Sequence, residues 1–254
     1  MLAPVNEDTA QGRPEIASGQ AIALSFFRFG GTADKLWAFS QMQFSRAAFN
    51  QTPGIGFAKM FGSGTGEGFT PIPNFGVYAL MGTWDDLMQA RQAISNSAVY
   101  DRYRDHAIEH WTVYIQAISS RGVWDSDAPF DIVPDDDPPL PMAVLTRATV
   151  KPQHAISFWR WAPDISTTVR EETHMLFKIG IGEVPWLQQV TFSIWDDVQA
   201  MKNFAYRSQF HSAAIKEVRR NGWFREELYA RFRVLGFEGQ WGGRDPLPAE
   251  LQFG

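Results

Sequence analysis

The sequence predicts an α+β chain built from two tandem copies of one β-α-β-β-α-β unit, and three observations carry that reading. Trp84-Asp85-Asp86 and Trp195-Asp196-Asp197 repeat one word 111 residues apart, each time where an apolar run gives way to a helical pattern. Phe57-Ala58-Lys59 and Leu176-Phe177-Lys178 match at an offset of 119, and so do Arg28 and Arg147. The 8 residues of difference fall in a glycine-rich stretch that only the first half carries. Duplication of a ferredoxin-like unit explains all three at once. Two such units offer two antiparallel sheets with helices on one face of each, and packing the sheets face to face closes a barrel within one chain.

Taken in order, residues 1–20 are polar with two prolines and read as a flexible tail. The first repeat, 21–124, opens with a strand at Ala21–Phe29. Asp34 is placed to cap a helix continuing through Lys35–Phe49, which Thr52-Pro53-Gly54 ends. A strand at Phe57–Phe61, the glycine-rich loop Gly62–Asn74 and a strand at Phe75–Thr83 follow. Trp84-Asp85-Asp86 then opens a second long helix, and a short strand closes the unit near Trp124. Residues 125–141, with Asp135-Asp136-Asp137-Pro138-Pro139, have charge and proline without periodicity and read as a solvated linker. The second repeat, 142–246, gives a strand at Met142–Val150, a helix at Gln153–Trp161, and strands at Met175–Ile181 and Gln189–Ile194. The second tryptophan–aspartate word opens its last helix, and 247–254 form a C-terminal tail.

Composition narrows the function. A net charge of −5 argues against nucleic acid as the main partner. The absence of cysteine removes disulfides, thiolate metal sites, iron–sulfur clusters and thiolate-ligated haem. No apolar run approaches the roughly 20 residues of a membrane span and no secretory leader opens the chain, so a cytoplasmic protein is expected, with residence at a membrane surface still open. Twenty Phe and ten Trp supply an aromatic core or a pocket for a large flat or polyene-like ligand.

Several motifs invite chemistry. In the last helix His211, Ala214, Ile215 and Val218 share one apolar stripe, opposite Lys216, Glu217, Arg219 and Arg220. An inward imidazole needs a partner, either a backbone carbonyl in the core or an iron or haem. Spacing leaves both open. The glycines at 62, 64, 66 and 68 run into another strand rather than opening a helix, so they suit a flexible loop or pocket lid, not a phosphate cradle. His106-Ala-Ile-Glu109-His110 matches an inverted zinc-peptidase word, but it lacks a third ligand and reads as half-exposed helix. Lys59/Lys178 and Arg28/Arg147 form symmetric strand cations, suited either to ligand carboxylates or to salt bridges at a barrel rim. The paired aspartates are helix caps and first-turn acids. Neither a nucleophile elbow nor a catalytic acid pair stands out, so nothing suggests hydrolysis.

The wording of the chain carries a resemblance. SFFRF (25–29), LWAFSQMQ (36–43), GSGTGEGFTPIPN (62–74), LTRAT (145–149), FKIGIGEVP (177–185), VTFSIW (190–195), GWFREELYARFRVLG (222–236) and WGGRDPL (241–247) resemble the spheroidene monooxygenase family, the acyclic carotenoid 2-ketolases. The resemblance implies a dimeric-α/β-barrel-type fold and an O2-dependent enzyme holding haem b. It implies successive oxidation of C-2 of a linear carotenoid to the 2-keto product, with electrons from a ferredoxin-type donor. It marks His211 as the axial metal ligand, with His174 in reserve. The strand cations Arg28 and Lys59 would then bind the cofactor, and Arg147 and Lys178 would donate hydrogen bonds to bound dioxygen. Trp37, Phe39, Phe158, Trp159 and Phe192 would line a channel for the carotenoid. The same barrel also accommodates a cofactor-free oxygenase, a haem dehydratase or peroxidase, or a carrier that uses the barrel as a container. Homodimerisation and peripheral membrane contact are both compatible with such a chain.

Overall fold

A computed structural model describes residues 18–66, 68–135, 140–160, 173–207 and 221–253. Eight antiparallel strands close a barrel in the order β1-β3-β2-β6-β7-β5-β8-β4. The first half contributes β1 (Ala21–Arg28), β2 (Ala58–Gly64), β3 (Pro73–Trp84) and β4 (Glu109–Gly122). The second contributes β5 (Met142–Val150), β6 (Met175–Gly182), β7 (Gln188–Trp195) and β8 (Phe224–Gly239). The halves meet through β2 against β6, with Gly62 opposite Gly182, and through the long β4–β8 ladder. The α+β barrel expected from the duplication is therefore the observed architecture.

Helices lie outside the barrel: α1 (Thr32–Phe44), α2 (Arg46–Asn50), α3 (Leu87–Ser95) and α4 (Ala98–His106) on the first half. On the second half α5 covers 155–160 and α6 covers Val198–Arg207. Two helices expected as continuous are broken. Ser45 ends α1, its hydroxyl donating to Gln41 Oε1 and its amide to the Gln41 carbonyl. Asn96-Ser97 divides α3 from α4, because such side chains compete with the backbone for helical hydrogen bonds. Asp34 sits in the first turn of α1 behind a Gly31 N-cap, and no side chain caps that helix. The two tryptophan–aspartate words do act alike: Asp86 accepts from the Gln89 amide and Asp197 from the Ala200 amide.

The closing strand of the first half has 14 residues, so it is not short, and β2 runs on through Gly64, leaving a shorter glycine-rich loop. His106 is the last residue of α4 and His110 lies in β4, so their i, i+4 spacing never falls on a helix. The linker also differs from a wholly solvated one: Phe130 is buried edge-on to Phe232, and the Val133 amide donates to the Ala117 carbonyl.

Register corrects the cation pairs. Ala21 opposes Trp84 as Met142 opposes Trp195. Counting from there, Arg28 against Val77 corresponds to Thr149 against Gln188, and Arg147 takes the place of Phe26. Likewise Lys59 opposes Met81 as Ile179 opposes Phe192. Lys178 is one residue out of step with Lys59, and a single-residue slip moves a side chain to the other face of a sheet. Lys59 points to the barrel mouth, Lys178 to the outside.

Candidate functional site

The barrel interior is filled. Phe26, Trp111, Phe177 and Phe192 pack ring to ring, with centroids 4.6 Å apart for Trp111–Phe177 and 5.2 Å for Phe26–Phe177. Leu24, Val113, Ile115, Leu145, Ile179 and Phe232 are among the residues that pack around them. Phe192 is therefore a fully buried core residue.

Both mouths are closed by one device used twice. Glu109 and Glu226, Gly122 and Gly239, and Trp124 and Trp241 are each 117 residues apart, at matched points of β4 and β8. At one mouth Arg28 pairs with Glu109 at 2.8 Å and lies 4.4 Å from the ring of Trp241, contributed by the other half. At the other, Arg147 pairs with Glu226 at 2.6 Å and lies 5.4 Å from the ring of Trp124, again from the opposite half. Each glutamate also accepts from an amide beside that tryptophan: Glu109 from Gly243, Glu226 from Asp125. Gly122 and Gly239 have φ of +99° and +79°, and each passes directly over a backbone carbonyl of the other closing strand, of Glu227 and His110 respectively. Burial alone would raise both carboxyl groups. The Gly243 and Gly242 amides with Arg28, and Arg147 with the Asp125 amide, outweigh it and hold Glu109 and Glu226 below the ordinary range. Lys59 joins the second mouth, pairing with Asp125 and, at 3.1 Å, with Glu183, which also accepts from Trp124 Nε1.

Arg28, Lys59 and Arg147 are thus engaged by carboxylates at two opposite mouths and do not converge with Lys178. Among the described residues the barrel interior is packed with side chains.

The outer faces differ between the halves. On the first, Ala23, Phe27, Tyr78, Leu80 and Tyr114 are buried with residues of α1 to α4 in a second apolar core. Trp37 packs there against Phe29 and Tyr103, and Phe39 lies 56% exposed at its edge beside Phe75. On the second half the corresponding positions form two cross-strand rows of small and polar residues. Lys178, Ser193, Val144 and Arg231 make one row, and Gly180, Thr191, Thr146 and Tyr229 the next. Their counterparts in the first half are Ala58, Gly82, Ala23 and Tyr114, then Met60, Leu80, Ser25 and Thr112. Where the first half places Met60 and Leu80 under helices, the second places Gly180 and Thr191.

The glycine-rich loop reaches this second face. Gly68, at φ +91°, lies so close to Gly180 that a Cβ on either residue would collide with the other's backbone, and Ser63 Oγ donates to the Gly180 carbonyl at 2.9 Å. The segment present only in the first half therefore forms one wall of a face belonging to the second. Valine at 180 is expected to lift the loop, and hydrogen exchange at the Thr65 and Gly68 amides, which bond Ile72 and Thr65 carbonyls, checks it by lost protection.

At one end of the face Met201, Val198 and Phe204 of α6 pack with Trp195, Met142 and Ile118. The chain then enters 208–220, so His211 lies outside the described residues. The described histidines are all accounted for structurally. His106 stacks on Trp37 and bonds Asp34, and His154 stacks on Trp223. His110 lies beside Phe27, and burial, aided by Arg104, lowers its pKa. His174 sits half-exposed at the start of β6, bonded to Asp196. Among the described residues no cluster of three His, Cys, Asp or Glu could hold a metal ion. Phe158 and Trp159 both lie in α5 on this half, Phe158 against Phe224 and Trp159 donating through Nε1 to the Trp186 carbonyl at 2.9 Å.

No family model matches the chain. It is 48% identical over 231 residues to the spheroidene monooxygenase of Rhodobacter capsulatus, covering 90% of this chain and 96% of that one. Identity to the spheroidene monooxygenase of Cereibacter sphaeroides is 45% over 233 residues, covering 91% and 72%. For that of Rubrivivax gelatinosus it is 31% over 243 residues, covering 93% and 91%. Among solved structures, an aldoxime dehydratase in complex with butyraldoxime superposes with a TM-score of 0.58 at 12% identity, covering 85% of this chain and 80% of that one. At that identity the likeness is one of fold.

Proposed function

The chain belongs to the spheroidene monooxygenase family, and from that premise we propose that it is a haem-dependent enzyme oxidising C-2 of linear carotenoids such as spheroidene on the outer face of its second half. Membership makes it an oxidoreductase, a carotenoid monooxygenase. The haem, the ferredoxin-type donor and the C-2 position are the proposal. Its main support is the contrast in side-chain size between the two outer sheet faces: the first buries Met60 and Leu80 under helices, the second carries Thr191 and Thr146 beside a Gly180 that the glycine-rich loop covers at Gly68.

The described residues fit a haem in the chemistry they offer. Thr146 and Thr191 keep this part of the sheet low, and Arg231, whose Nε donates to the Ser119 hydroxyl, carries a guanidinium at the end of the neighbouring row that could also meet a carboxylate. His211, in the segment 208–220 that follows α6, would hold the iron. Arg28 and Lys59, the cofactor cations that the resemblance implies, hold Glu109, Asp125 and Glu183. When bound, the haem supplies oxygen activation and the electron path. The protein's part is orientation and exclusion of water. Thr146 and Thr191 offer hydroxyls that can hold a proton beside the reacting carbon, while Phe158, half-buried against Phe224, would give an apolar wall for the polyene.

Each turnover consumes one O2, two electrons and two protons, converting one C–H to C–OH and releasing one water. A second turnover at the same carbon gives a geminal diol, which loses water to leave the ketone. Two tests apply. Purified protein given spheroidene, O2 and a reduced ferredoxin is expected to form first the 2-hydroxy and then the 2-keto product, read by mass. The haem-loaded chain is expected to show a Soret band that His211→Ala loses or shifts. An unchanged band in that variant would transfer the ligand role to His174, and a wild type without any band would remove haem from the mechanism.

A further inference from the structure

We propose that the edge of the second half formed by α5 and the β6–β7 turn docks on an anionic lipid bilayer. Val184, Trp186 and Ile156 are 43%, 47% and 64% exposed. All three lie on α5 or on the β6–β7 turn that is bonded to it. Trp186 is pinned to α5 by the Trp159 bond, and Ile156 lies one turn before Trp159. Val184 shares with Lys151, Pro152, Leu187 and Arg225 a cavity of about 210 Å³. Trp186 has φ +72°, a conformation a bulky residue rarely adopts, and the hydrogen bond at its carbonyl holds it there with the indole outward.

The rim of the patch is cationic although the chain carries a net −5. Lys151 and Arg225 line the cavity, and exposed Arg160 stands four residues after Ile156 on the same helical face. Among the described residues, three carboxylates of this end are turned elsewhere: Glu183 toward Lys59 and Trp124, Glu226 toward Arg147, Glu227 toward the Tyr229 hydroxyl. Aliphatic and indole side chains at a tip with basic residues behind them match the layering of a bilayer interface with acidic headgroups. Among the described residues no helix is long and apolar enough to cross a membrane, so the contact would be peripheral. Binding at this surface needs no turnover and is testable with vesicles free of carotenoid.

The full chain is mixed with sedimentable vesicles of phosphatidylcholine and phosphatidylglycerol at 3:1, and with pure phosphatidylcholine. Preferential cosedimentation with the acidic vesicles is expected. Ile156→Ser/Val184→Ser/Trp186→Asn should lower the partition coefficient at least tenfold with an unchanged circular dichroism spectrum. Lys151→Glu/Arg225→Glu should remove the preference for acidic lipid, at about fivefold per cation removed. Phe39→Ser, which removes an equally exposed aromatic from the other half, should bind like wild type. Failure of the wild type to bind acidic vesicles, or equal binding by the triple variant, overturns the proposal. So does an equal loss in Phe39→Ser. A triple variant that turns a dimer into a monomer while keeping its vesicle binding would assign the patch to self-association instead.

Discussion

Replacing Thr191 by tryptophan is expected to abolish carotenoid oxidation while leaving the fold intact. Thr191 lies at the centre of the outer face, flanked across the strands by Gly180 and Thr146. Its counterpart in the first half is Leu80, a large buried side chain, so this sheet position tolerates bulk in β3 and by symmetry in β7. An indole there would stand over the sheet beside the Gly68 segment that covers Gly180 and displace any ligand resting on that face. Misplacement of a reacting atom by an ångström costs on the order of a hundredfold in rate, so turnover should fall at least that far. Thermal unfolding should shift by only a few degrees. Measured turnover within a few-fold of wild type would put the chemistry elsewhere.

Arg147→Met should have the largest effect on stability. Its guanidinium is fully buried, held by Glu226 at 2.6 Å and by Asp125 at 3.3 Å. Removing one partner of a buried ion pair strands the other, at about 3–5 kcal/mol. Asp125 is 43% exposed and can turn to water, so the cost falls mainly on Glu226. The pH dependence follows from Glu226. Its folded pKa is depressed, so its contribution is present above the ordinary carboxylate pKa and is lost as pH falls through the folded value. Without the arginine that depression goes, and protonation relieves the stranded carboxylate. The gap between wild type and variant should be widest near neutral pH and narrow in acid. Denaturant unfolding across pH measures it, and Arg147→Met/Glu226→Gln should recover most of the loss. A gap independent of pH would mean that Arg147 acts by packing alone. Turnover per folded molecule near wild type would separate this mouth role from hydrogen bonding to dioxygen.

Much of the fold was legible because the duplicated words mark caps. Asp86 and Asp197 each begin a helix, and that fixes the β3–α3 and β7–α6 junctions. Register was less legible. Matching Arg28 with Arg147 by residue type missed by two residues, which keeps the face, and matching Lys59 with Lys178 missed by one, which reverses it. The mouth closures had a signal that was not used. Gly122-Val-Trp124 and Gly239-Gln-Trp241 share a spacing, and the matched Glu109 and Glu226 lie at the same offset. Reading them needs the knowledge that β4 and β8 are neighbours, which only the closed barrel supplies. The aromatic residues expected along a channel separated for a similar reason: Phe192 and Thr191 are adjacent in sequence and face opposite sides of one sheet.

The most direct test of the outer-face assignment is haem uptake by Thr191→Trp beside Arg28→Met. Both variants are titrated with haem, and stoichiometry and Soret position are read against wild type. Haem on the outer face of the second half predicts that Thr191→Trp takes up little haem or shifts its band, while Arg28→Met, altered at a barrel mouth, loads fully with an unchanged spectrum. Full loading and an unchanged band in Thr191→Trp, with loss in Arg28→Met, would return the site to the barrel mouth.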